Sequence, residues 1–163
     1  NVQMKIPHLL STSQCDNLLE KFKKFPNQVY HTTNPTFRFK PSAIGHFLVC
    51  EMSLNECIGL WGEVQKNMPW ASELVTARIL FYKKGCGINP HTDSSYGEQD
   101  SNHSIIVQLN DPEQYKGGTP YLEEDPIMLE QGDAVVYNYN RKHSVSTVEK
   151  GHRFVLNLRV RRT

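Results

Sequence analysis

From Ser11 to Phe25 apolar residues return at steps of three and four. Cys15, Leu18, Leu19, Phe22 and Phe25 therefore fall on one face of an α-helix. Ser11 or Ser13 can cap its start, and Pro26 stops it. Thr32 to Ser42 is rich in Thr, Asn and Pro and reads as loop, with room for one short strand. A second helix is predicted from Ser53, where Glu56 three residues on completes a capping box. Leu54, Cys57, Ile58, Trp61, Val64 and Met68 form its apolar stripe, and Pro69 closes it.

At Leu74 the period changes to two. Val75, Ala77, Ile79 and Phe81 alternate with Thr76, Arg78, Leu80 and Tyr82, the pattern of a strand. Further strands are predicted at Ser104–Leu109, Thr119–Leu122, Ile127–Leu129, Ala134–Tyr139, Ser144–Val148 and Arg153–Val160. Gly117-Gly118, Gly132-Asp133 and Lys150-Gly151 punctuate them as turns. On the last strand Phe154, Leu156, Leu158 and Val160 share a face that must be core, so Arg153, Val155, Asn157 and Arg159 point the other way. Two helices followed by about seven or eight short strands predict an α+β chain with a two-sheet jelly roll, the helices packed on one sheet. The helical part is expected over 1–73 and the jelly-roll part over 74–163, within a single domain spanning 1–163.

Composition narrows the class of partner. Apolar residues make up 38% and charged residues 21% of 163, as in globular chains and unlike collagen-like or disordered ones. Eighteen Lys+Arg against 17 Asp+Glu leave a net charge of +1, which gives no reason to expect nucleic acid or acidic lipid as a partner. No apolar run approaches a membrane span. Cys15, Cys50, Cys57 and Cys86 form no CxxC; free buried thiols, a reducing compartment and a cytoplasmic location are expected. The chain begins at Asn1 and not at Met, which leaves a removed signal peptide or a larger parent protein open.

Candidate chemistry gathers after Gly85-Cys86-Gly87-Ile88-Asn89-Pro90, which reads as a turn. In the extended backbone that follows, His91 and Asp93 point to the same side and can converge on one metal. Alone, such a pair is more often solvated loop. His143, after the apolar strand Ala134–Tyr139, can supply a third ligand from elsewhere. Two imidazoles and one carboxylate form a facial triad suited to Fe(II), with three positions left for substrates. Zinc would want a fourth ligand, and none is obvious. Arg153 lies ten residues after His143, past the turn at Gly151, so a hairpin can return it beside the metal. A guanidinium there could grip a carboxylate with two hydrogen bonds. Its bland reading is a solvated strand arginine.

Together His91-x-Asp93, His143 and Arg153 resemble the signature of iron(II)- and 2-oxoglutarate-dependent dioxygenases, in particular the prolyl 4-hydroxylase-like group. The match covers most of the chain. Ile6-Pro7-His8-Leu9-Leu10-Ser11 with Cys15 resembles that group's opening before its first helix. Leu109-Asn110, Gly117-Gly118 and Thr119 resemble its middle stretch. Gly132-Asp133-Ala134-Val135-Val136-Tyr137, then His143-Ser144-Val145 and Val148-x-x-Gly151-x-Arg153, resemble its close. The resemblance implies a double-stranded β-helix, with His91, Asp93 and His143 binding Fe(II). It implies 2-oxoglutarate as co-substrate, with its 5-carboxylate on Arg153 and Tyr82 as a hydrogen-bond partner. It further implies O2 as oxidant, ascorbate as reductant, release of succinate and CO2, and hydroxylation of an unactivated C–H bond. The expected substrate is a prolyl residue of a peptide or protein. The alternatives are a free amino acid or small metabolite and, from another class, a non-catalytic module that binds 2-oxoglutarate and metal. Two departures, Arg153 where collagen-type enzymes carry Lys and Gln108 where Tyr is frequent, bear on the subfamily and not on the metal site.

The remaining features have plainer readings. Ser94 to His103 could cover a substrate, with Tyr96 in contact, or be solvated loop. Glu123-Glu124-Asp125 reads as an acidic turn, Arg159, Arg161 and Arg162 as a solvated chain end, and Trp61 and Trp70 as packing residues. Cys86, near the candidate metal loop, could be oxidised, though nothing beside it in the sequence marks it as reactive. Neither a GxSxG elbow nor a GxxxxGK[ST] phosphate loop is present.

Overall fold

The computed structural model describes residues 4–24, 29–31, 43–45, 48–52, 54–93 and 103–162. Phe25 and Pro26, the loop read at Thr32–Ser42, the helix start at Ser53 and the stretch from Ser94 through Tyr96 to Asn102 lie outside the described residues. The elements run β1 (Met4–Ile6), α1 (Thr12–Lys24), β2 (Val29–His31), β3 (Ala43–Ile44), β4 (Leu48–Glu51), α2 (Leu54–Asn67), β5 (Ala71–Tyr82), β6 (Gly87–His91) and β7 (His103–Gln108). They continue with β8 (Tyr115–Gly117), β9 (Pro120–Leu122), β10 (Asp125–Pro126), β11 (Ala134–Asn138), β12 (His143–Val145), β13 (Val148–Gly151) and β14 (Arg153–Arg162).

The strands form a seven-stranded sheet in the order β1-β11-β7-β14-β5-β4-β2, a five-stranded sheet β10-β9-β12-β6-β3, and a small β13-β8 pair. Among the described residues all pairings are antiparallel. The spine is β14, paired along ten residues with β5 and along six with β7. Its alternation sorts as the pattern requires: Leu156, Leu158 and Val160 are buried in the largest apolar cluster, with Phe154 packed against it. That cluster also contains Ala77, Ile79, Ile105, Val107, Ala134 and Val136 of the same sheet. It includes Cys15 and Leu18 of α1 and Cys57, Leu60 and Val64 of α2 as well.

Ser11 caps α1 with a reciprocal pair: the Gln14 amide donates to Ser11 Oγ at 3.1 Å, and the Ser11 amide donates to Gln14 Oε1 at 2.8 Å. Trp61 and Trp70 pack against the core as half-buried residues. Ile58, assigned by spacing to the α2 stripe, is exposed. One residue on from Cys57 is about a 100° rotation, enough to leave the buried face.

Three expectations change. The first 73 residues are not only helical: β1 pairs with β11, β4 pairs with β5, and β5 itself begins at Ala71. Of these, β1 and β4, with three and four residues, are too short to show a period. The turn read over Gly85–Pro90 narrows to Lys84-Gly85, after which β6 runs from Gly87 to His91. Pro90 is admitted there because a strand end need not donate every amide. Ile127–Leu129 is not a strand; the pairing falls instead on Asp125-Pro126 against Tyr121-Leu122.

Motif pieces distant in the chain meet in space. The Leu10 amide donates to the Gly132 carbonyl at 3.2 Å, and the His8 and Glu130 amides, each at 3.0 Å, donate to the two oxygens of buried Asp133. Gly118 has φ +60°, and a Cβ there would lie 2.9 Å from Val148 Cγ2 and 3.3 Å from Arg153 Cδ. Glycine at that position lets the backbone pass over the Arg153 side chain.

Candidate metal centre

Strand β6 delivers His91 and strand β12 delivers His143. The two are direct cross-strand partners, and their ring centroids stand 4.2 Å apart. Asp93 lies two residues past the end of β6, with its amide donating to the Tyr139 carbonyl at 3.0 Å. Ligand atoms of His91, Asp93 and His143 all lie within 4.8 Å of one another. Asp93 Oδ1 is 3.1 Å from His143 Nε2 and 3.9 Å from His91 Nε2.

Both imidazoles are fixed from behind. His91 Nδ1 is 2.9 Å from the Asn89 carbonyl, and His143 Nδ1 is 2.9 Å from the Arg141 carbonyl. A carbonyl only accepts, so each Nδ1 donates its proton there and each ring turns Nε2 into the centre, the atom that would ligate a metal. Asp93 Oδ1 is buried there and has no hydrogen-bond donor among the described residues. A cation standing between the two ring nitrogens and that buried oxygen would satisfy all three at once. That donor set, two imidazoles and one carboxylate, fits Fe(II). No fourth His, Cys, Asp or Glu joins the cluster among the described residues, so positions remain for other ligands.

The other carboxylate oxygen is fully occupied. Ser104 Oγ donates to Asp93 Oδ2 at 2.6 Å, and Arg159 Nη1 lies 2.9 Å from the same atom. Burial, the largest influence, pushes the Asp93 carboxyl up. The contact with His143, the Arg159 charge and the Ser104 hydroxyl outweigh it and hold the group well below the usual carboxylate range.

The centre opens onto a cavity enclosing about 650 Å³, part of it open to solvent, between the two larger sheets. Leu80, Ile88, Val145 and Val155 supply apolar wall, while Tyr82, Arg153 and Arg159 supply polar groups. Arg153 is almost wholly buried. Its Nε donates to Gln108 Oε1 at 3.2 Å, and its Nη2 is a buried donor with no acceptor among the described residues. Gln108 is itself held, with Nε2 donating to the Asn110 carbonyl and to Tyr115 Oη, each at 2.9 Å. Tyr82 is buried with its ring centroid 5.6 Å from Arg153 Cζ. Burial pushes its hydroxyl up to about 12, with the Arg153 charge opposing, so it stays a neutral donor at ordinary pH.

Of the residues picked out for metal and carboxylate binding, His91, His143 and Arg153 thus line one cavity together with Tyr82, and Asp93 groups with the two histidines. Arg159 departs from expectation. It is not part of a solvated chain end but a buried partner of Asp93, while Arg161 pairs with Glu73 at 3.0 Å on the surface. Its place on the Arg153 face of β14 was the signal that could have found it. Gln108, noted only as a departure, is the support of Arg153; nothing in its spacing indicates this. Glu123, in the acidic turn, pairs with Arg141 at 3.2 Å.

A double-sheet barrel with two histidines and a carboxylate at its mouth belongs to the class of non-haem iron centres that leave coordination sites open. Residues 77–161 match the family model of the 2OG-Fe(II) oxygenase superfamily, more than half of the chain, and the protein belongs to that superfamily. Its fold is similar to that of the viral collagen prolyl hydroxylase vCPH from Paramecium Bursaria Chlorella virus-1 in complex with 2OG. The TM-score is 0.73 at 16% identity, covering 100% of this chain and 97% of that one. It is also similar to a Trichoplax adhaerens prolyl hydroxylase in complex with a hypoxia inducible factor peptide fragment. There the TM-score is 0.75 at 13% identity, with 98% and 83% covered. A third similar structure is SnoN, a non-heme alpha ketoglutarate dependent epimerase from nogalamycin biosynthesis, at TM-score 0.69 and 11% identity, with 96% and 76% covered. Among curated proteins no sequence matches the chain.

Proposed function

We propose that the protein hydroxylates a prolyl residue of a peptide or protein, using Fe(II), 2-oxoglutarate and O2. One observation carries the reading: two backbone-tethered imidazoles at the cavity group with a buried carboxylate oxygen, and Arg153 in the same cavity keeps a buried guanidinium nitrogen with no acceptor among the described residues. His91, Asp93 through Oδ1, and His143 would hold the iron. Arg153 would take the distal carboxylate of 2-oxoglutarate on Nη2, with Tyr82 beside it as a neutral donor. When bound, iron and 2-oxoglutarate supply the oxygen chemistry that inserts hydroxyl into an unactivated C–H bond, with succinate and CO2 released. The chain itself binds and orients: Gln108 fixes the Arg153 fork, the Asn89 and Arg141 carbonyls fix the ring tautomers, and Leu80, Ile88, Val145 and Val155 exclude water from one side. In the same reading both helices back the large sheet, which the shared apolar cluster supports.

The prolyl assignment draws on the likeness to prolyl hydroxylases, one of them bound to a peptide, and on an apolar cavity wall suited to an uncharged ring. The test adds Fe(II) and 2-oxoglutarate to metal-free protein under argon and looks for the visible charge-transfer band of the chelate. Air is then admitted and succinate followed with and without a proline-rich peptide. A band with peptide-stimulated succinate supports the whole reading. A band without stimulation keeps the oxygenase and rejects the prolyl substrate. The absence of a band rejects both.

A further inference from the structure

The cavity holds a buried cation that binding of a 2-oxo acid does not explain. Arg159 is 5% exposed, reaches the cavity from the same face of β14 as Arg153, and sits with Nη1 2.9 Å from Asp93 Oδ2. Its Nε donates to Asn157 Oδ1 at 3.2 Å, which fixes the guanidinium plane against its own strand. Ser104 Oγ donates to the same carboxylate oxygen at 2.6 Å. Register makes this arrangement rigid: Arg159 and Ser104 are direct cross-strand partners on β14 and β7. Both groups therefore close on Asp93 from one hydrogen-bonded ladder. Asp93 comes from the other side, on the chain leaving β6.

A free carboxylate can grip a dication with one oxygen or with both. Here one oxygen accepts from a hydroxyl and is ion-paired with a guanidinium, while the other is buried and has no donor among the described residues. We propose that Arg159, together with Ser104, is a positioning residue for the metal-binding carboxylate: it occupies Oδ2, so that Asp93 offers the metal Oδ1 alone. One-oxygen ligation leaves a site free that two-oxygen ligation would fill, and a bidentate 2-oxo acid plus O2 needs every free site. The inference rests on the metal reading above and adds to it how the carboxylate is used. In this role Arg159 acts through Asp93.

Sign separates this role from a purely electrostatic one. The Arg159 charge by itself repels a dication, so its removal would tighten metal binding if charge were all that counted. If positioning dominates, removal loosens binding. The probe is Mn(II) alone, titrated into metal-free protein and followed by the electron spin resonance of the free ion, without 2-oxoglutarate or turnover. Arg159→Met is expected to weaken Mn(II) binding about 10- to 100-fold, the usual cost of losing a group that orients a metal ligand. Arg159→Lys, which keeps the charge and one donor, is expected to recover most of that loss. Ser104→Ala, which removes the other donor without changing charge, is expected to show a smaller loss. A merely structural role would lower the melting temperature of the metal-free variants and leave Mn(II) affinity where it was. Affinity for Mn(II) equal to or tighter than the parent's in Arg159→Met overturns the proposal. If Arg159→Met does not fold, Ser104→Ala decides: weaker binding supports the proposal, and unchanged binding overturns it. A parent protein that takes up no Mn(II) overturns the metal reading and this inference with it, whereas a parent that binds beside an Arg159→Met that binds equally overturns only the inference.

Discussion

The two faces of β14 are buried to the same degree and are built on opposite terms. Outward, Leu156, Leu158 and Val160 enter an apolar cluster with residues of α1 and α2. Inward, Arg153, Asn157 and Arg159 are as deeply covered, yet they are polar or charged. Apolar contact is non-directional, so the outward face asks only for volume and shape. A buried guanidinium costs several kcal/mol in lost hydration unless particular partners compensate, on the order of what a whole domain has in reserve. Each inward arginine accordingly has its own partners, Gln108 for Arg153 and Asp93 with Asn157 for Arg159. One face secures the fold, and the other secures a geometry.

The sharpest way to break that comparison is His143→Ala. It removes a ligand from the cavity and no part of the outward cluster, so succinate formation should fall to background while the melting temperature barely moves. A variant that keeps turnover would show that the inward face does not carry the chemistry. Leu158→Ala tests the opposite face. Denaturant unfolding should show a loss of about 2–5 kcal/mol, and the protein that remains folded should take up Mn(II) as the parent does. Weakened metal uptake there would mean the faces are not separable. The smallest effect is expected from Arg153→Ala, read as 2-oxoglutarate affinity in the iron-loaded protein under argon. Loss of a charge-assisted contact of about 1.5–3 kcal/mol corresponds to a weakening of roughly ten- to 150-fold, with Mn(II) uptake unchanged. Unaltered affinity would move the carboxylate partner elsewhere on the inward face.

Much of this division is legible along the chain because β14 is long and strictly alternating. Eight residues of period two, Arg153 to Val160, announce two faces, and one of them contains two arginines that no core would tolerate without purpose. The pair His91 and Asp93, with His143 a strand away, is legible for the same reason: metal ligands need particular side chains, and side chains are what a sequence records. What stays hidden is whatever depends on register. That Ser104 stands opposite Arg159, or Gln108 opposite Val155 and within reach of Arg153, follows from how β7 slides against β14. The short segments β1, β4 and β6 escape notice because three to five residues cannot display a period, and Gly87 and Pro90 in β6 carry the marks of a turn.

The tethers behind the two histidines have a consequence for how such a site can change over time. In both cases the acceptor is the carbonyl two residues upstream, at Asn89 and at Arg141, and neither side chain contributes to the contact. Any amino acid at 89 or 141 that keeps the main-chain path supplies the same oxygen; proline at 141 would lose the amide that donates to the Asn138 carbonyl at 3.0 Å. The tautomer of each ligand is therefore inherited through the path of the main chain and not through any letter of the sequence. Side-chain drift at those two positions that leaves the main chain in place is silent with respect to the metal, whereas one inserted or deleted residue between tether and ring would misdirect the proton without altering a single ligand.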